Sequence, residues 1–135
     1  MNAYSKPLPK LDDRNRPHWE GAKQRELRVQ KCRNCGAMRY PPAPICSQCH
    51  SAEMDWAKVS GRGKLWSWCV FHRAYFKDFP VPYTTVLIEL EEGPKLYSNL
   101  IGVPTERLRI GLPVRASFED VTPEVTLIKF EEDAR

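Results

Sequence analysis

Four cysteines are arranged as two Cys-x-x-Cys pairs, Cys32/Cys35 and Cys46/Cys49, and ten residues separate the pairs. Zn²⁺ takes a tetrahedral set of thiolates, and two residues between cysteines let a tight turn aim both sulfurs at the same ion. Gly36 follows the first pair, where a residue free to adopt positive φ can complete the turn. The sequence therefore predicts one zinc ion bound by these four cysteines.

The main alternative is a pair of disulfides, which a four-thiol pattern without a secretory segment disfavours. His50 could compete with Cys49 as the fourth ligand, but the repeated two-residue spacing favours Cys49. Four thiolates leave no coordination position for water or substrate, so the predicted zinc is structural. Such a site carries excess negative charge, and Lys31, Arg33 and Arg39 are close enough in sequence to offset part of it.

Length and composition predict a small folded protein. The chain has 135 residues, of which 41% are hydrophobic, enough for one ordinary domain or two small ones that share a core. The first nine residues carry no apolar run, and no stretch approaches the length of a membrane span. We therefore expect a cytoplasmic protein without a membrane segment.

The net charge of +4 is unevenly distributed. Residues 1–31 contain eight Lys/Arg and four acidic residues, whereas residues 119–135 contain two and six. The excess of cations before residue 119 is compatible with a polyanionic ligand, such as nucleic acid or the phosphates of a nucleotide cofactor. The acidic C-terminal tail, residues 119–135, would repel either ligand.

Changes in periodicity divide the chain into three parts. Residues 1–26 are predicted to form an N-terminal arm and a short helix that presents Trp19 and Ala22 on one face. Residues 27–60 contain three short strands around the two cysteine pairs, which is typical of a rubredoxin-like zinc ribbon. Residues 61–135 begin with the Gly61-Arg62-Gly63 joint. They are predicted to form a series of strands and end in an acidic tail.

The third part is predicted to be a five-stranded Greek-key barrel of the OB-fold type, so the fold class is mainly β. A helical turn at 104–108 falls between the third and fourth strands, as in that barrel. The predicted strands are 64–72, 83–90, 95–101, 112–119 and 125–130.

Alternation along the first of these strands places Trp66 and Trp68 on one face. Burial of this face in the barrel is the favoured interpretation, and a stacking platform is the alternative. Cys69 is interpreted as a small core residue, because His72 would lie on the opposite face and could not activate it.

Several short motifs follow one another along the chain in a specific order: Trp19-Glu20-Gly21, 31–36, Pro41-Pro42, 46–49, 59–63, Pro82-Tyr83, Glu89-Leu90 and Gly93-Pro94. These motifs and the order of the elements resemble the zinc-ribbon/OB-fold family known as domain of unknown function 35, which is associated with acyl-CoA metabolism. The resemblance covers nearly the whole chain and implies an accessory subunit of thiolase-like enzymes, including thiolases, steroid side-chain aldolases and hydroxymethylglutaryl-CoA synthase, or of hydratase-fold partners. It also implies that the OB part helps to hold coenzyme A.

If the resemblance holds, the loop after the first barrel strand is the candidate coenzyme A site. Arg73 and Lys77 could meet phosphates. The aromatic residues that could line the pantetheine or the adenine are Tyr75, Phe76, Phe79 and Tyr83. The alternative is that this loop simply plugs one end of the barrel. The candidate contacts with the partner subunit are Trp19, Ala22, Arg33 and Tyr40.

No nucleophile elbow, P-loop or dinucleotide-binding motif occurs, so we expect any Claisen-type chemistry to belong to another chain. Two rival interpretations remain. One is a protein that binds single-stranded nucleic acid, because zinc ribbons and OB barrels are common there, although the cations are dispersed. The other is an assembly factor that never contacts coenzyme A.

Overall fold

Strands dominate the computed structural model, which describes residue 6, residues 8–75 and residues 77–133. The helix is α1 (Arg16–Lys23), and a 3₁₀ turn spans Thr105–Arg107. The strands are β1 (Leu27–Cys32), β2 (Met38–Arg39), β3 (Met54–Val59), β4 (Arg62–Phe71), β5 (Tyr83–Leu90), β6 (Lys95–Ser98), β7 (Leu100–Ile101), β8 (Pro113–Asp120) and β9 (Thr126–Glu132). No helix among the described residues is long and apolar enough to cross a membrane.

The predicted N-terminal helix, α1, lies against both sheets, with Pro17 in its first turn. His18, Gly21 and Ala22 form its buried face. Just beyond the helix, Arg25 donates to both carboxylate oxygens of Asp120 in β8, at 2.9 and 2.8 Å. The helix is too short to be stable alone, so these contacts hold it in place.

The first sheet is the predicted zinc ribbon. Its strand order is β2-β1-β3, and both pairings are antiparallel. Strand β1 has the apolar alternation expected of a central strand, with Leu27 and Val29 buried. The turns that carry the four cysteines leave from one end of this sheet.

The second sheet is the predicted OB barrel, with strand order β6-β5-β4-β8-β9-β7. The third predicted strand is interrupted at Asn99, whose carbonyl accepts a hydrogen bond from the Phe130 N–H at 2.9 Å. Strand β7 then pairs in parallel with β9. Because β6 and β7 form the two edges of the sheet and are consecutive in the chain, this break closes the barrel.

Ribbon and barrel share one hydrophobic core. The ribbon contributes Leu27, Val29 and Val59. The barrel contributes Leu65, Val86, Ile88, Leu90, Leu96, Leu112, Val114 and Phe130. The division into 1–26, 27–60 and 61–135 stays a prediction, since the packing continues across the joint. At that joint Gly61 has φ +79°, and a side chain at Gly63 would collide with the Glu89 carbonyl.

Strand β4 departs from the predicted alternation at Trp66. Leu65 pairs with Ile88 and Ser67 pairs with Leu87, so Trp66 is the extra residue of a β-bulge. The bulge reverses the faces beyond it, and Trp66 is 47% exposed while Trp68 packs partly buried against the core. The prediction that the two indoles share one buried face is therefore wrong.

The same bulge places Cys69 on the outside of the barrel. Cys69 lies opposite Thr85 of β5 and is exposed, so its interpretation as a core residue is also wrong. His72, three residues further on, is exposed as well.

Candidate functional site

The four cysteine sulfurs of the ribbon converge at one point. All four Sγ atoms lie within 4.8 Å of one another, and the Cys32–Cys49 and Cys35–Cys46 separations are both 3.6 Å. A tetrahedral zinc with Zn–S bonds of about 2.3 Å sets its sulfurs about 3.8 Å apart. Neither separation approaches the roughly 2.05 Å of a disulfide. The donor set and its dimensions therefore fit a structural zinc ion, which would hold the two turns together.

The two cysteine turns repeat the same backbone pattern. Gly36 (φ +80°) and His50 (φ +66°) each come four residues after the first cysteine of a pair. Their N–H groups donate to the carbonyls of Cys32 and Cys46, both at 2.9 Å. His50 is thus an exposed turn residue, and it occupies the position that glycine fills in the first turn.

Polar groups around the cluster stabilise negative charge on sulfur. Arg39 donates to Cys46 Sγ at 2.9 Å, and the Asn34 side chain donates to Cys49 Sγ at 3.3 Å. Desolvation opposes ionisation of Cys46, but the backbone N–H groups of Cys49 and Gln48 and the Arg39 guanidinium together lower its pKa to about 6. The surroundings of Cys46 therefore favour its thiolate form, which is the form that binds zinc.

The other two predicted cations are placed differently. Arg33 forms ion pairs with Glu53 at 3.2 Å and with Asp55 at 2.8 Å. Lys31 is exposed on β1 across from Asp55. Of the three predicted cations, Arg39 is the one that donates to a cluster sulfur.

The predicted coenzyme A loop forms an aromatic cluster beside the end of β4. Tyr83 stacks on Phe71 at a centroid distance of 5.0 Å and lies 5.7 Å from Phe79. The Arg73 guanidinium lies over the Tyr75 ring at 5.4 Å. Lys77 is exposed. Phe76 lies outside the described residues, so its predicted contact is left as a prediction.

A cavity of about 280 Å³ opens beside this loop. Its lining combines apolar residues, which include Tyr83, Val86, Leu100, Val103 and Leu108, with the polar Thr84 and Asn99. Tyr83 belongs to both the aromatic cluster and the cavity wall, so the two features are continuous.

The predicted partner contacts fall in two places. Trp19 and Tyr40 are half-buried and line a groove of about 210 Å³ between α1, the ribbon and the barrel. Ala22 is fully buried within the chain, so it offers no side-chain surface to a partner. Arg33 is exposed but lies apart from this groove, within its own ion pairs.

His18 and Tyr97 also line this groove, and neither was predicted as a site residue. His18 is 3% exposed, its Nδ1 lies 2.8 Å from the Arg28 carbonyl, and its ring packs on Tyr40 at 4.4 Å. Tyr97 is 75% exposed. Alternation along β6 could have indicated the exposure of Tyr97, because it puts Tyr97 on the same outward face as the charged Lys95.

Two family models match the chain in succession. The model described as the rubredoxin-like zinc ribbon domain of ChsH2 matches residues 19–55, and the C-terminal OB-fold domain of ChsH2 matches residues 56–119. Among solved structures, the Ltp2-ChsH2(DUF35) aldolase is 36% identical with a TM-score of 0.82, over 93% of this chain and 98% of the matched chain.

Characterised relatives carry different descriptions. A probable enoyl-CoA hydratase alpha subunit of Thermomonospora curvata is 37% identical over 93% of this chain, but the chain spans only 39% of that relative. A DUF35 domain-containing scaffold protein of Methanocaldococcus jannaschii is 35% identical, over 76% of this chain and 75% of the relative. Benzoylsuccinyl-CoA thiolase subunit BbsA of Thauera aromatica is 30% identical, over 58% of this chain and 54% of the relative.

The order of ribbon and barrel, the four converging sulfurs and these matches agree with one another, and the chain belongs to the DUF35 family of zinc-ribbon/OB-fold proteins.

Proposed function

We propose that this protein is a non-catalytic, zinc-containing accessory subunit of a cytoplasmic acyl-CoA-processing complex, and that its partner is a thiolase-like or related enzyme subunit. It stabilises the partner and helps to hold the coenzyme A moiety of the substrate. The reacting carbon and the catalytic residues belong to the partner.

One observation carries this proposal. Sequences similar to this chain recur in relatives described as an aldolase, an enoyl-CoA hydratase subunit and a thiolase subunit. These reactions differ at the reacting carbon, but two of the descriptions name a coenzyme A thioester. A module common to them serves what they share, which is the coenzyme A end of the substrate and the assembly of the complex.

The four-cysteine cluster supports a structural role. When zinc is bound, all four ligands come from the protein, so the ion fixes the ribbon and leaves no position for substrate. The ribbon thereby holds Tyr40 beside helix α1. Tyr40 and Trp19 of this helix are the candidate partner contacts in the groove.

The aromatic loop and its cavity support the coenzyme A contact. The loop offers cationic side chains at Arg73 and Lys77, and the adjoining cavity offers a space that Val86, Leu100, Val103 and Leu108 help to line. We expect the Arg73→Ala/Lys77→Ala variant to weaken coenzyme A binding by the assembled complex, measured by calorimetry. Lys58→Ala, an exposed cation on the ribbon, is the matched control. Unchanged affinity in the double variant would favour an assembly factor without coenzyme A contact.

The proposal as a whole is tested by purifying the tagged full chain from its native cells and coexpressing it with any acyl-CoA enzyme subunit that copurifies. We expect a stable complex on size-exclusion chromatography and a partner that is more active or more soluble with this chain than without it. Salt-sensitive, micromolar binding of single-stranded DNA or RNA, with no such complex, would instead support the nucleic-acid interpretation.

A further inference from the structure

Tyr97 occupies an unusual position on the barrel. Its side chain is 75% exposed although it lies within a strand, and it borders two separate depressions. One is the groove that Trp19 and Tyr40 line. The other is a cleft of about 280 Å³ on the outer barrel wall, where Tyr97 meets Leu87, Thr85 and Cys69. Tyr97 therefore joins the two depressions into one continuous surface.

The register of the sheet explains this cleft. Ser67, Leu87 and Tyr97 are direct neighbours across β4, β5 and β6 and point outward together. The β-bulge at Trp66 turns Ser67 and Cys69 to this outer face. The apolar surface of this cleft therefore comes mainly from Leu87 and Tyr97, beside the smaller Ser67 and Cys69.

From this arrangement we infer that Tyr97 is the central anchor of the surface on which the partner subunit docks. The inference rests on the proposed function, because it names where the proposed partner binds. A large aromatic ring that stands between two depressions has the properties of an interface hot spot, since tyrosine supplies much contact area at little conformational cost.

The charges at the rim indicate the chemistry of the occupant. Along one side of the cleft, Lys64, Glu89 and Lys95 are cross-strand neighbours, and Lys95 pairs with Glu89 at 3.9 Å, so Lys64 is the cation in excess there. Arg73 and Lys77 lie on the loop that we assign to coenzyme A, so they are not counted for the partner. The fitting partner surface is therefore apolar at its centre, to enter beside Tyr97, with a carboxylate placed to meet Lys64.

The same face is a poor platform for a run of nucleic-acid bases. Phe71 and Tyr83 stack on each other with 15° between their planes, and the Lys95 ammonium lies over the Trp66 ring at 4.5 Å. Base stacking needs successive free ring faces, and these contacts occupy one face each of Phe71, Tyr83 and Trp66. A protein partner fits these contacts better.

The test uses the full chain and the acyl-CoA enzyme subunit that copurifies with it. We expect Tyr97→Ala to weaken the complex by about 30-fold or more, measured by biolayer interferometry. Tyr97→Phe should bind within about threefold of the wild type, because the ring is retained. Ile110→Ala is the matched control, since Ile110 is 74% exposed and lines neither depression.

Cys69 supplies a second measurement that does not depend on a substitution at Tyr97. It is exposed in the cleft and lies outside the zinc cluster, so N-ethylmaleimide should alkylate it in the free chain. We expect the partner to slow this alkylation at least tenfold, and a Cys69→Ser variant gives the background rate from the zinc-site thiols.

The outcomes separate the two proposals. If the wild-type chain forms no complex, the proposed function is wrong. If the complex forms but Tyr97→Ala binds normally and Cys69 stays reactive, the docking surface is wrong and the proposed function stands. A Tyr97-dependent homodimer of the isolated chain, or oligonucleotide binding lost in Tyr97→Ala, would also overturn the partner assignment.

Discussion

The outer half of the ribbon and the wall of the barrel are stabilised by different means. Between residues 33 and 53, Cys46 is the only buried residue, so the metal cluster takes the place of a hydrophobic core. The barrel has no such cluster among its described residues and instead buries Val86, Ile88, Val114 and Phe130 completely. The comparison separates a region that depends on one ion from a region that depends on distributed packing.

The largest effect should follow from breaking the cluster. We expect Cys46→Ser to release zinc, which contributes about 10–16 kcal/mol of apparent folding free energy in small zinc domains. Hydrogen exchange measured by mass spectrometry should then show loss of protection across residues 33–53, with protection retained in β4, β5 and β8. The control is Cys69→Ser, which should keep one zinc per chain. Equal loss of protection in the barrel would contradict the comparison.

The next largest effect should follow from opening the barrel core. Phe130 is fully buried in β9 and belongs to the shared core, so we expect Phe130→Ala to lower the free energy of unfolding by about 3–5 kcal/mol. Urea denaturation at saturating zinc measures this change. Ile110→Ala removes a similarly apolar but exposed side chain and should change stability by less than about 0.5 kcal/mol.

A smaller effect should follow from removing the cation at the cluster. Arg39 donates to Cys46 Sγ, whereas Arg33 pairs with Glu53 and Asp55. We expect Arg39→Ala to weaken zinc binding by about tenfold, as for other outer partners of metal ligands, and Arg33→Ala to leave it nearly unchanged. Competition with a chromophoric chelator measures both affinities. Equal losses would mean that general positive charge is what matters, not this hydrogen bond.

The smallest effect concerns pH. Burial lowers the pKa of His18, against an opposing hydrogen bond to the Arg28 carbonyl, so the folded state binds fewer protons than the unfolded state. Stability should therefore fall as pH drops below about 6.5, the ordinary histidine value. The facing Tyr40 stays neutral here, since burial raises its pKa. Thermal melts between pH 7.5 and 5.5 should show a shallower pH dependence for His18→Gln than for the wild type.

The sequence could predict the cluster because its geometry is local. Two residues between cysteines and a positive φ after each pair define the turn, and no distant contact is needed. The faces of strand β4 depend instead on non-local contacts. The β-bulge at Trp66 is set by the pairing of β4 with β5, so simple alternation assigned the faces of β4 correctly only up to Leu65.

The same limit applies to the candidate docking surface. Tyr97 lies within a predicted strand, but its exposure depends on which strands cover the barrel and where the sheet closes. The break at Asn99 decides that closure through its hydrogen bonds with Phe130 and Thr84, both distant in sequence. Local patterns therefore predicted the elements, and non-local pairing decided which side chains became surface.

The repeated turn around the cysteines has a consequence for assembly. The two turns are offset by fourteen residues, and each supplies two of the four sulfurs. Two sulfurs from one turn cannot fill the four tetrahedral positions of a zinc ion, but two such turns on different molecules can. A chain that loses the second pair through Cys46→Ser and Cys49→Ser would therefore become a bidentate chelator, and zinc would crosslink it into dimers with one ion between two chains.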